Sequence, residues 1–347
     1  MWWHALAGAF LERGTEASMV VLLRVLQVIH RKYYFMNGVR VVEENVMAAL
    51  KRMNIPFRER TIFVTDPKRR HFGTVSASLS SARAQVICPR NSISFTTLAP
   101  ADVLYVPDVG SPDRSTNAVS DRILEYFDST SIKKSRSIFT NTRYMSGIIS
   151  HRYKVPMDEI YIFPLPVDGS FSPSAQTRNN EIVSVLNVGR LTKRRLRLLE
   201  VPALLRRVNM NRNVTLYHAG PQSEYDSMLV DSCNRSGVEY VNLGHASKQS
   251  LVDYYRKVDF YIYLSDHEGY SITPKEALAC GTPALISHNP VHDEIYSGKK
   301  GVIWFDGLDS VRQASETPHS PTYGDWVHDY SYEKLTTELV NLCGKLS

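Results

Sequence analysis

Two glutamates that stand eight residues apart, Glu268 and Glu276, are the strongest candidates for chemistry in the chain. Glu268 and Gly269 follow an apolar run, Phe260 to Leu264, that is typical of a buried strand. Glu276 lies in the first turn of a short helix predicted over Thr273 to Ala279. A strand, a glycine-containing loop and a helix are therefore expected to hold the two carboxylates together.

The backbone between the two glutamates suits an anionic ligand. The amides of Tyr270, Ser271 and Ile272 precede a helix N-terminus, where free N–H groups and the helix dipole favour a phosphate or a carboxylate. Glycine at position 269 lets the backbone approach that ligand closely. Because a carboxylate accepts hydrogen bonds from vicinal hydroxyls, Glu268 and Glu276 beside this cradle predict a site for phosphate joined to sugar.

The elements that must position this segment alternate between strand and helix along the whole chain. This alternation predicts an α/β fold with two Rossmann-like, doubly wound parallel-sheet domains that face each other across a cleft. The predicted strands are 20–29, 61–65, 84–88, 102–106, 137–140, 160–163, 182–188, 214–218, 238–243, 260–264 and 283–287, and the predicted helices are 39–53, 143–153, 196–208, 225–236, 247–257, 273–279 and 332–346. A loop is predicted over 31–38.

Length and composition agree with two packed domains. The chain has 347 residues, of which 43% are hydrophobic and 22% are charged, so a disordered, collagen-like or coiled-coil protein is a poor interpretation. We expect an N-terminal extension over 1–18, an N-terminal Rossmann-like domain over 19–172, a C-terminal Rossmann-like domain over 173–325 and a closing helix within 326–347.

The net charge of +6 is concentrated in the N-terminal half. Residues 1–174 contain 22 Lys and Arg against 15 Asp and Glu, a net charge of +7, and the remainder has 19 against 20, a net charge of −1. Basic clusters such as 68–70 and 133–136 suit an anionic partner, which is a phosphorylated substrate, a membrane surface or nucleic acid, and they equally suit a solvated surface.

Cysteine usage and hydropathy set the expected environment. The four cysteines contain no Cys-x-x-Cys pair, so neither a disulfide scaffold nor a zinc knuckle is predicted and a reducing compartment is the simplest setting. The longest apolar run, Met19 to Ile29, is too short for a transmembrane helix. We therefore expect a cytoplasmic protein, either free or peripheral on the cytoplasmic face of a membrane.

The segment EGYSITPKEALACGTP, residues 268–283, closely resembles the signature of the retaining glycosyltransferases of family 4, which have the GT-B fold. The usual form of that signature is E-G-F-G-L-x-x-x-E-A-M-A-C-G-T-P. Residues 188–195 resemble the family's G-R-L-x-x-x-K element, and residues 240–245 resemble its F-L-G segment beside the nucleotide base. Residues 165–173 resemble its inter-domain linker, and residues 23–50 resemble its opening strand, glycine loop and first helix.

The resemblance implies that the domain over 19–172 is the acceptor-side domain and that the domain over 173–325 binds the nucleotide sugar. It also implies a role for each matching residue. Glu268, Arg190 and Arg194 are implied as catalytic: Glu268 and the amides after it hold the donor sugar and phosphate, and the arginines bind the departing diphosphate. The acceptor hydroxyl would attack from the face that the leaving group vacates. The implied donor-binding residues are Gly38, Gly189, Lys193, Gly244, His245, Gly269, Tyr270, Ser271, Ile272 and Glu276, of which Glu276 would bind the ribose.

The sequence departs from the family pattern in the first half. Asn37 replaces the first glycine of the loop, and Asp108 stands at the turn after strand 102–106, where many family members have a histidine near the donor sugar. Asp108 is therefore a further candidate, weighed against a plain turn-forming role. The second cation of the diphosphate clamp, besides Arg190, is one of Lys193, Arg194 or Arg195, and Arg194 is predicted ahead of Lys193.

The function that follows is transfer of a sugar from a UDP-sugar or GDP-sugar to a glycan, a lipid-linked or a protein-linked acceptor. No cofactor and no metal ion are expected, because arginines can stabilise the charge on the diphosphate. Two alternatives remain open at this level. One is a non-catalytic nucleotide-sugar-binding protein or partner subunit, and the other is a nucleic-acid-modifying GT-B enzyme. The sequence contains no recognised nucleic-acid-binding motif. We therefore favour peripheral membrane contact as the interpretation of the positive charge in the N-terminal half.

Overall fold

The computed structural model describes residues 25–32, 38–64, 91–97, 99–109, 119–174 and 182–346. Within these ranges the N-terminal domain is built on one parallel sheet with the strand order β2-β1-β3-β4-β5-β6. Its strands are β1 (Leu26–Lys32), β2 (Phe57–Val64), β3 (Ser92–Ser94), β4 (Val103–Tyr105), β5 (Ser137–Thr140) and β6 (Ile160–Ile162), and its helices are α1 (Gly38–Arg52), α2 (Val119–Lys134) and α3 (Arg143–Tyr153).

The C-terminal domain has a second parallel sheet, with the order β12-β11-β10-β7-β8-β9 among the described residues. Its strands are β7 (Ile182–Val188), β8 (Asn213–Ala219), β9 (Glu239–Gly244), β10 (Phe260–Tyr263), β11 (Ala284–Ile286) and β12 (Val302–Trp304). Its helices are α4 (Val201–Val208), α5 (Asp226–Ser236), α6 (Lys248–Lys257), α7 (Thr273–Ala279), α8 (Pro290–Tyr296) and α9 (Leu308–Glu316), and α10 (Tyr332–Leu346) ends the described chain. The predicted fold class is confirmed.

In the C-terminal domain, helices pack on both faces of the sheet, which is why its central strand is apolar throughout. In the C-terminal domain, Leu205 of α4 and Leu229 of α5 pack on one face, and Tyr255 of α6 and Leu278 of α7 pack on the other. All four residues of β10 are buried, as its continuous apolar sequence predicts. The loop that carries Glu268 and the helix that carries Glu276 follow the carboxyl end of this central strand.

The last helix returns to the N-terminal domain. Leu335 and Leu339 of α10 join the core formed by Val42 and Val46 of α1. The chain therefore crosses between the domains twice, once through residues 164–173 and once before α10. The predicted helix over 332–346 has the observed bounds.

Two local expectations are corrected. Arg31 and Lys32, placed in a loop by their polarity, extend β1 because their backbones pair with Phe63 and Val64 of β2. The single helix expected over 196–208 is a 3-10 helix, Lys193–Glu200, followed by α4. Pro202 lacks an N–H group and so marks the start of the α-helical part. The strand predicted over 84–88, the extension over 1–18, Asn37 and the basic cluster 68–70 lie outside the described residues.

No helix in the described ranges is long and apolar enough to span a lipid bilayer.

Candidate active site

The loop between β10 and α7 is fixed by hydrogen bonds to the neighbouring strand. The backbone N–H of Ser265 donates to Ser287 Oγ at 2.8 Å, and the Ser287 hydroxyl donates to the Ser265 carbonyl at 2.8 Å. Asn289 Nδ2 also donates to that carbonyl at 2.9 Å. The loop that carries Glu268 therefore has a defined position at the carboxyl edge of the sheet, where ligands of open α/β sheets bind.

Glu268 is buried, with 6% of its surface exposed. Its Oε1 accepts a hydrogen bond from Tyr263 Oη at 3.0 Å and from Arg195 Nη2 at 3.2 Å. Burial alone would raise the pKa of Glu268, but the charges of Arg195 and Arg194 outweigh it and hold the pKa below its ordinary value. Glu268 is thus an ionised carboxylate paired with a buried guanidinium.

Arg195 is held on three sides. Its guanidinium lies over the Tyr263 ring, 4.4 Å from the ring centroid, and Nη1 donates to the Arg190 carbonyl at 3.1 Å. Gly189 makes room for it, since a Cβ at that position would overlap Nη1. Gly189 also has a φ of 118°, which L-residues rarely adopt. The absence of a side chain at Gly189 therefore leaves the space that the Arg195 guanidinium occupies.

The position of Arg195 differs from the predicted clamp. Arg195, not Arg194, pairs with Glu268, while Arg194 Nη1 lies 3.6 Å from Asp108 Oδ2. Both arginines lower the pKa of Glu268, so both are close to the site. Lys193 and the Arg190 side chain are exposed, and the Arg190 backbone carbonyl accepts a hydrogen bond from Arg195. Counted from Gly189, the G-R-L-x-x-x-K spacing ends at Arg195, and this register is the sequence signal for the arginine that pairs with Glu268.

Glu276 lies behind the loop, in the first turn of α7, and is 8% exposed. Its Oε2 accepts a hydrogen bond from Tyr255 Oη at 3.0 Å. Burial raises the pKa of Glu276 to about 7, although the Tyr255 hydroxyl and the charge of Lys248 oppose the rise. The two glutamates of the motif therefore differ: Glu268 is paired and ionised, whereas Glu276 titrates near neutrality.

The amides of Tyr270, Ser271 and Ile272 lie directly before α7, which begins at Thr273. A buried histidine of α8 fixes this stretch. His292 Nδ1 donates to the Ser287 carbonyl at 2.7 Å, and burial lowers the pKa of His292, so its Nε2 accepts the Ser271 hydroxyl at 2.7 Å. Sequence reasoning missed His292.

Three glycines meet at the carboxyl edge of strands β7, β8 and β9. Gly189 N donates to the Ala219 carbonyl at 2.7 Å, and Gly220 N donates to the Gly244 carbonyl at 2.8 Å. A Cβ at Gly220 would lie 2.7 Å from the Gly189 carbonyl oxygen. His245 follows and is exposed. The structure thus brings the predicted donor residues Gly189 and Gly244 to one edge, whereas Gly38 begins α1 in the other domain.

A buried lysine connects α7 to the inter-domain linker. Lys275 Nζ donates to the Leu165 carbonyl at 2.8 Å and to Tyr270 Oη at 3.1 Å. Burial, with a smaller effect from Lys299, lowers the pKa of Lys275 to about 8. The lysine stands next to Glu276 in the motif, yet its contacts are with the linker. Its role was not predicted.

Within the described ranges, no group of three or more His, Cys, Asp or Glu side chains is arranged to hold a metal ion.

Residues 171–314 match the family described as Glycosyl transferases group 1. This range contains strands β7 to β12, the Arg195–Glu268 pair and Glu276. The C-terminal domain therefore contains a glycosyl transferases group 1 region. The predicted resemblance to glycosyltransferases and the predicted enzyme class are confirmed: the chain is a glycosyltransferase. No curated protein matches the sequence at a significant level.

Solved structures share the fold over nearly the whole chain. WaaG, a glycosyltransferase involved in lipopolysaccharide biosynthesis, is 14% identical with a TM-score of 0.65, covering 92% of this chain and 98% of its own. Anabaena Alr3699/HepE, solved in complex with UDP and glucose, is 12% identical with a TM-score of 0.61 over the same shares. AviGT4, involved in avilamycin A biosynthesis, is 15% identical with a TM-score of 0.58, again over 92% and 98%.

Proposed function

We propose that the chain is a retaining glycosyltransferase that moves a sugar from a nucleoside-diphosphate donor to a glycan or lipid-linked acceptor without a metal ion. The observation that carries the proposal is the buried Arg195–Glu268 pair at the carboxyl end of β10. It places a fixed cation beside a fixed carboxylate, one suited to the diphosphate and the other to the sugar hydroxyls. The similarity to HepE, which binds UDP and glucose, makes UDP the first nucleotide to test.

Each half of the donor has a matching group in the C-terminal domain. Glu276 would accept the ribose hydroxyls, and the glycine edge formed by Gly189, Gly220 and Gly244 would let the nucleotide approach the backbone. Arg195, with Arg194 nearby, would stabilise the charge that develops on the diphosphate as the glycosidic bond breaks. These arginines support metal independence, because fixed cations can replace a divalent ion in that task.

The test is a transfer assay on the purified chain with UDP-sugars and GDP-sugars in the presence of EDTA. Glycan and lipid-linked acceptors are supplied, and the anomeric configuration of the product is read by NMR. The proposal predicts transfer in EDTA with the donor's anomeric configuration kept. Inverted product would overturn the retaining mechanism, and loss of transfer in EDTA would overturn metal independence. Donor binding without transfer to any acceptor would favour the non-catalytic alternative.

The acceptor-side domain presents a surface that suits a lipid-linked acceptor. We call it the α3 face, and it consists of the outer side of α3, the neighbouring end of α2 and the edge strand β6. The large apolar residues exposed there are Tyr126 (66%), Met157 (54%), Tyr144, Tyr161 and Ile162. The face also holds a groove of about 880 Å³ on α3, lined by Arg143, Tyr144, Gly147, Ile148, His151, Arg152 and Lys154.

Charge and chemistry favour an anionic bilayer as the partner of the α3 face. The side chains that line the groove are basic, aromatic and aliphatic, and one of the basic ones, Arg152, is paired with Glu125 of α2. Lys133 and Lys134 are exposed at the end of α2. Long basic side chains and amphipathic rings are the groups that settle at a membrane interface. We propose that the α3 face binds the membrane that contains the lipid-linked acceptor.

Vesicle binding tests the α3 face. The full chain should cosediment with vesicles that contain phosphatidylglycerol and less with neutral phosphatidylcholine, and 0.5 M salt should release it. Reversal to Arg143→Glu with Lys154→Glu should abolish binding, while Arg235→Glu with Lys257→Glu on the other domain should not. Equal loss in both pairs would show a general charge effect and would contradict the assignment.

A further inference from the structure

The turn after β4 reaches across the cleft to the loop that carries Glu268. Asp108 Oδ1 lies 3.1 Å from His267 Nε2, and Asp108 Oδ2 lies 3.6 Å from Arg194 Nη1. Gly269 packs against the same turn, because a Cβ there would overlap the Pro107 carbonyl oxygen and lie 2.8 Å from Asp108 Cβ. The acceptor-side domain therefore contacts the donor loop directly, through one carboxylate placed between two basic side chains.

All three side chains of this contact are partly shielded from water. The exposed fractions are 28% for Asp108 and 19% for both His267 and Arg194. A charged contact shielded in this way is stronger than a surface ion pair. The contact is adjacent to the site, since His267 precedes Glu268 in the chain and Arg194 lowers the pKa of Glu268.

The charged groups that face His267 are Asp108 from the other domain, Arg194 from the 3-10 helix and Glu268 from its own loop. The hydrogen bond to Asp108 raises the pKa of His267 above its ordinary value, against the effect of burial. A protonated His267 completes the contact with Asp108. As the pH rises through the raised pKa, the histidine loses its charge and the contact weakens.

We propose that Asp108 is a positioning residue for sugar transfer: by binding His267 and Arg194 across the cleft, it fixes the donor loop relative to the acceptor-side domain. The inference rests on the proposed function, since it assumes donor on one domain and acceptor on the other. Asp108 acts through its two partners and is not assigned to touch the substrate. We call the three side chains the cross-cleft cluster.

The physical reason is that transfer needs both domains at once, whereas donor binding needs mainly one. The groups assigned to the donor, which are Glu268, Glu276 and Arg195, all lie in the C-terminal domain. A displacement of about 1 Å between reacting groups can lower a rate by roughly 100-fold. Loss of the cross-cleft cluster should therefore lower kcat and leave donor affinity nearly unchanged.

The test is a double-mutant cycle with Asp108→Asn, His267→Gln and the double variant, in the full chain. Donor affinity is measured by calorimetry, and kcat and kcat/KM are measured against pH. Each single substitution should lower kcat by about 10-fold to 100-fold. The double variant should be no slower than Asp108→Asn, because Asp108→Asn already removes the contact with His267.

A matched control exists within the C-terminal domain. His288 Nδ1 lies 2.7 Å from Asp293 Oδ1, so this His–Asp pair joins no second domain. His288→Gln and Asp293→Asn should leave kcat unchanged. Wild-type kcat should fall as the pH rises through the raised pKa of His267, and this fall should be absent in Asp108→Asn, which a purely structural role would not produce.

Two kinds of failure are distinguishable. Wild-type chain that neither binds donor nor transfers sugar overturns the proposed function and this inference with it. Wild-type chain that transfers sugar, combined with unchanged kcat in Asp108→Asn, overturns the inference alone. Strictly additive losses in the double variant, or a donor affinity that falls as much as kcat, also overturn it.

Discussion

The buried carboxyl group of Glu276 should make the protein less stable above neutral pH, and removing its charge should reverse this. The perturbation is Glu276→Gln, which keeps the size and an oxygen that can accept the Tyr255 hydroxyl, a bond of 3.0 Å in the structure. Burial raises the pKa of Glu276 from its ordinary 4.5 to about 7. The folded chain therefore resists ionisation over a pH range in which the unfolded chain ionises freely.

The magnitude follows from the difference of about 2.5 pH units. At about 1.4 kcal/mol for each pH unit, the full cost of the buried charge is about 3 kcal/mol. Below pH 4.5 the carboxyl is neutral in both states and contributes no difference. As the pH rises towards 7 the unfolded state loses its proton first, so stability falls, and above 7 the whole cost is present. The glutamine variant avoids this cost.

The assay is thermal unfolding of wild type and Glu276→Gln at pH 5 and pH 8.5, with Glu316→Gln, an exposed glutamate of α9, as the control. For domains of 150–250 residues, 1 kcal/mol corresponds to about 2–4 °C in Tm. The variant should therefore unfold roughly 6–12 °C above wild type at pH 8.5 and close to wild type at pH 5. An equal Tm difference at both pH values, or a less stable variant at pH 8.5, would show that the buried Glu276 carboxyl does not destabilise the protein above neutral pH.

Three further predictions concern residues that hold the site. Arg195→Met should destabilise the protein by about 3–5 kcal/mol in urea unfolding, because it leaves Glu268 buried without its cation. Adding Glu268→Leu should recover much of this loss, and a double variant that is less stable than Arg195→Met would contradict the pairing. Gly269→Ala should lower transfer activity by forcing the Pro107 turn away, whereas Gly344→Ala in α10, where a Cβ meets nothing within 4 Å, should keep activity; equal activities in the two variants would refute the contact. Glu294→Ala should cost about 0.5–2 kcal/mol, because its carboxylate accepts the first two N–H groups of α3 at 2.7 and 2.9 Å; an unchanged unfolding midpoint would argue against this cap.

Elements with a strong local signal were predictable from the sequence. Helices α3 and α7 have the predicted bounds, and α3 shows why: Thr142 caps its N-terminus by accepting the Met145 N–H, and Lys154 ends it in a left-handed conformation. Buried strands such as β10 have continuous apolar sequences. Five elements were missed: α2, α8, α9, β3 and β12. The two strands are only three residues long, so their pairing, and not their composition, defines them.

The site was predictable as a region but not in its pairing. The basic run 193–195 offers three cations in a row, which composition does not tell apart, although the G-R-L-x-x-x-K spacing counted from Gly189 ends at Arg195. The structure folds this run as a 3-10 helix, in which residues three apart share a face. Arg195 therefore lies on the side of the buried Leu198 and meets Glu268, while Lys193 remains exposed. The contact between Asp108 and His267 joins residues 159 positions apart, so only the packing of the two domains reveals it.

The donor site is tested most directly by calorimetric titration of the chain with UDP, GDP and ADP in EDTA, with Glu276→Gln and Glu316→Gln titrated alongside. One nucleotide series should bind wild type and Glu316→Gln with equal affinity, and its binding should strengthen as the pH rises through about 7. Glu276→Gln should bind about 10-fold more weakly or worse. Wild-type chain that binds no nucleotide, or Glu276→Gln that binds as tightly as wild type, would contradict the assignment of this cleft as the donor site.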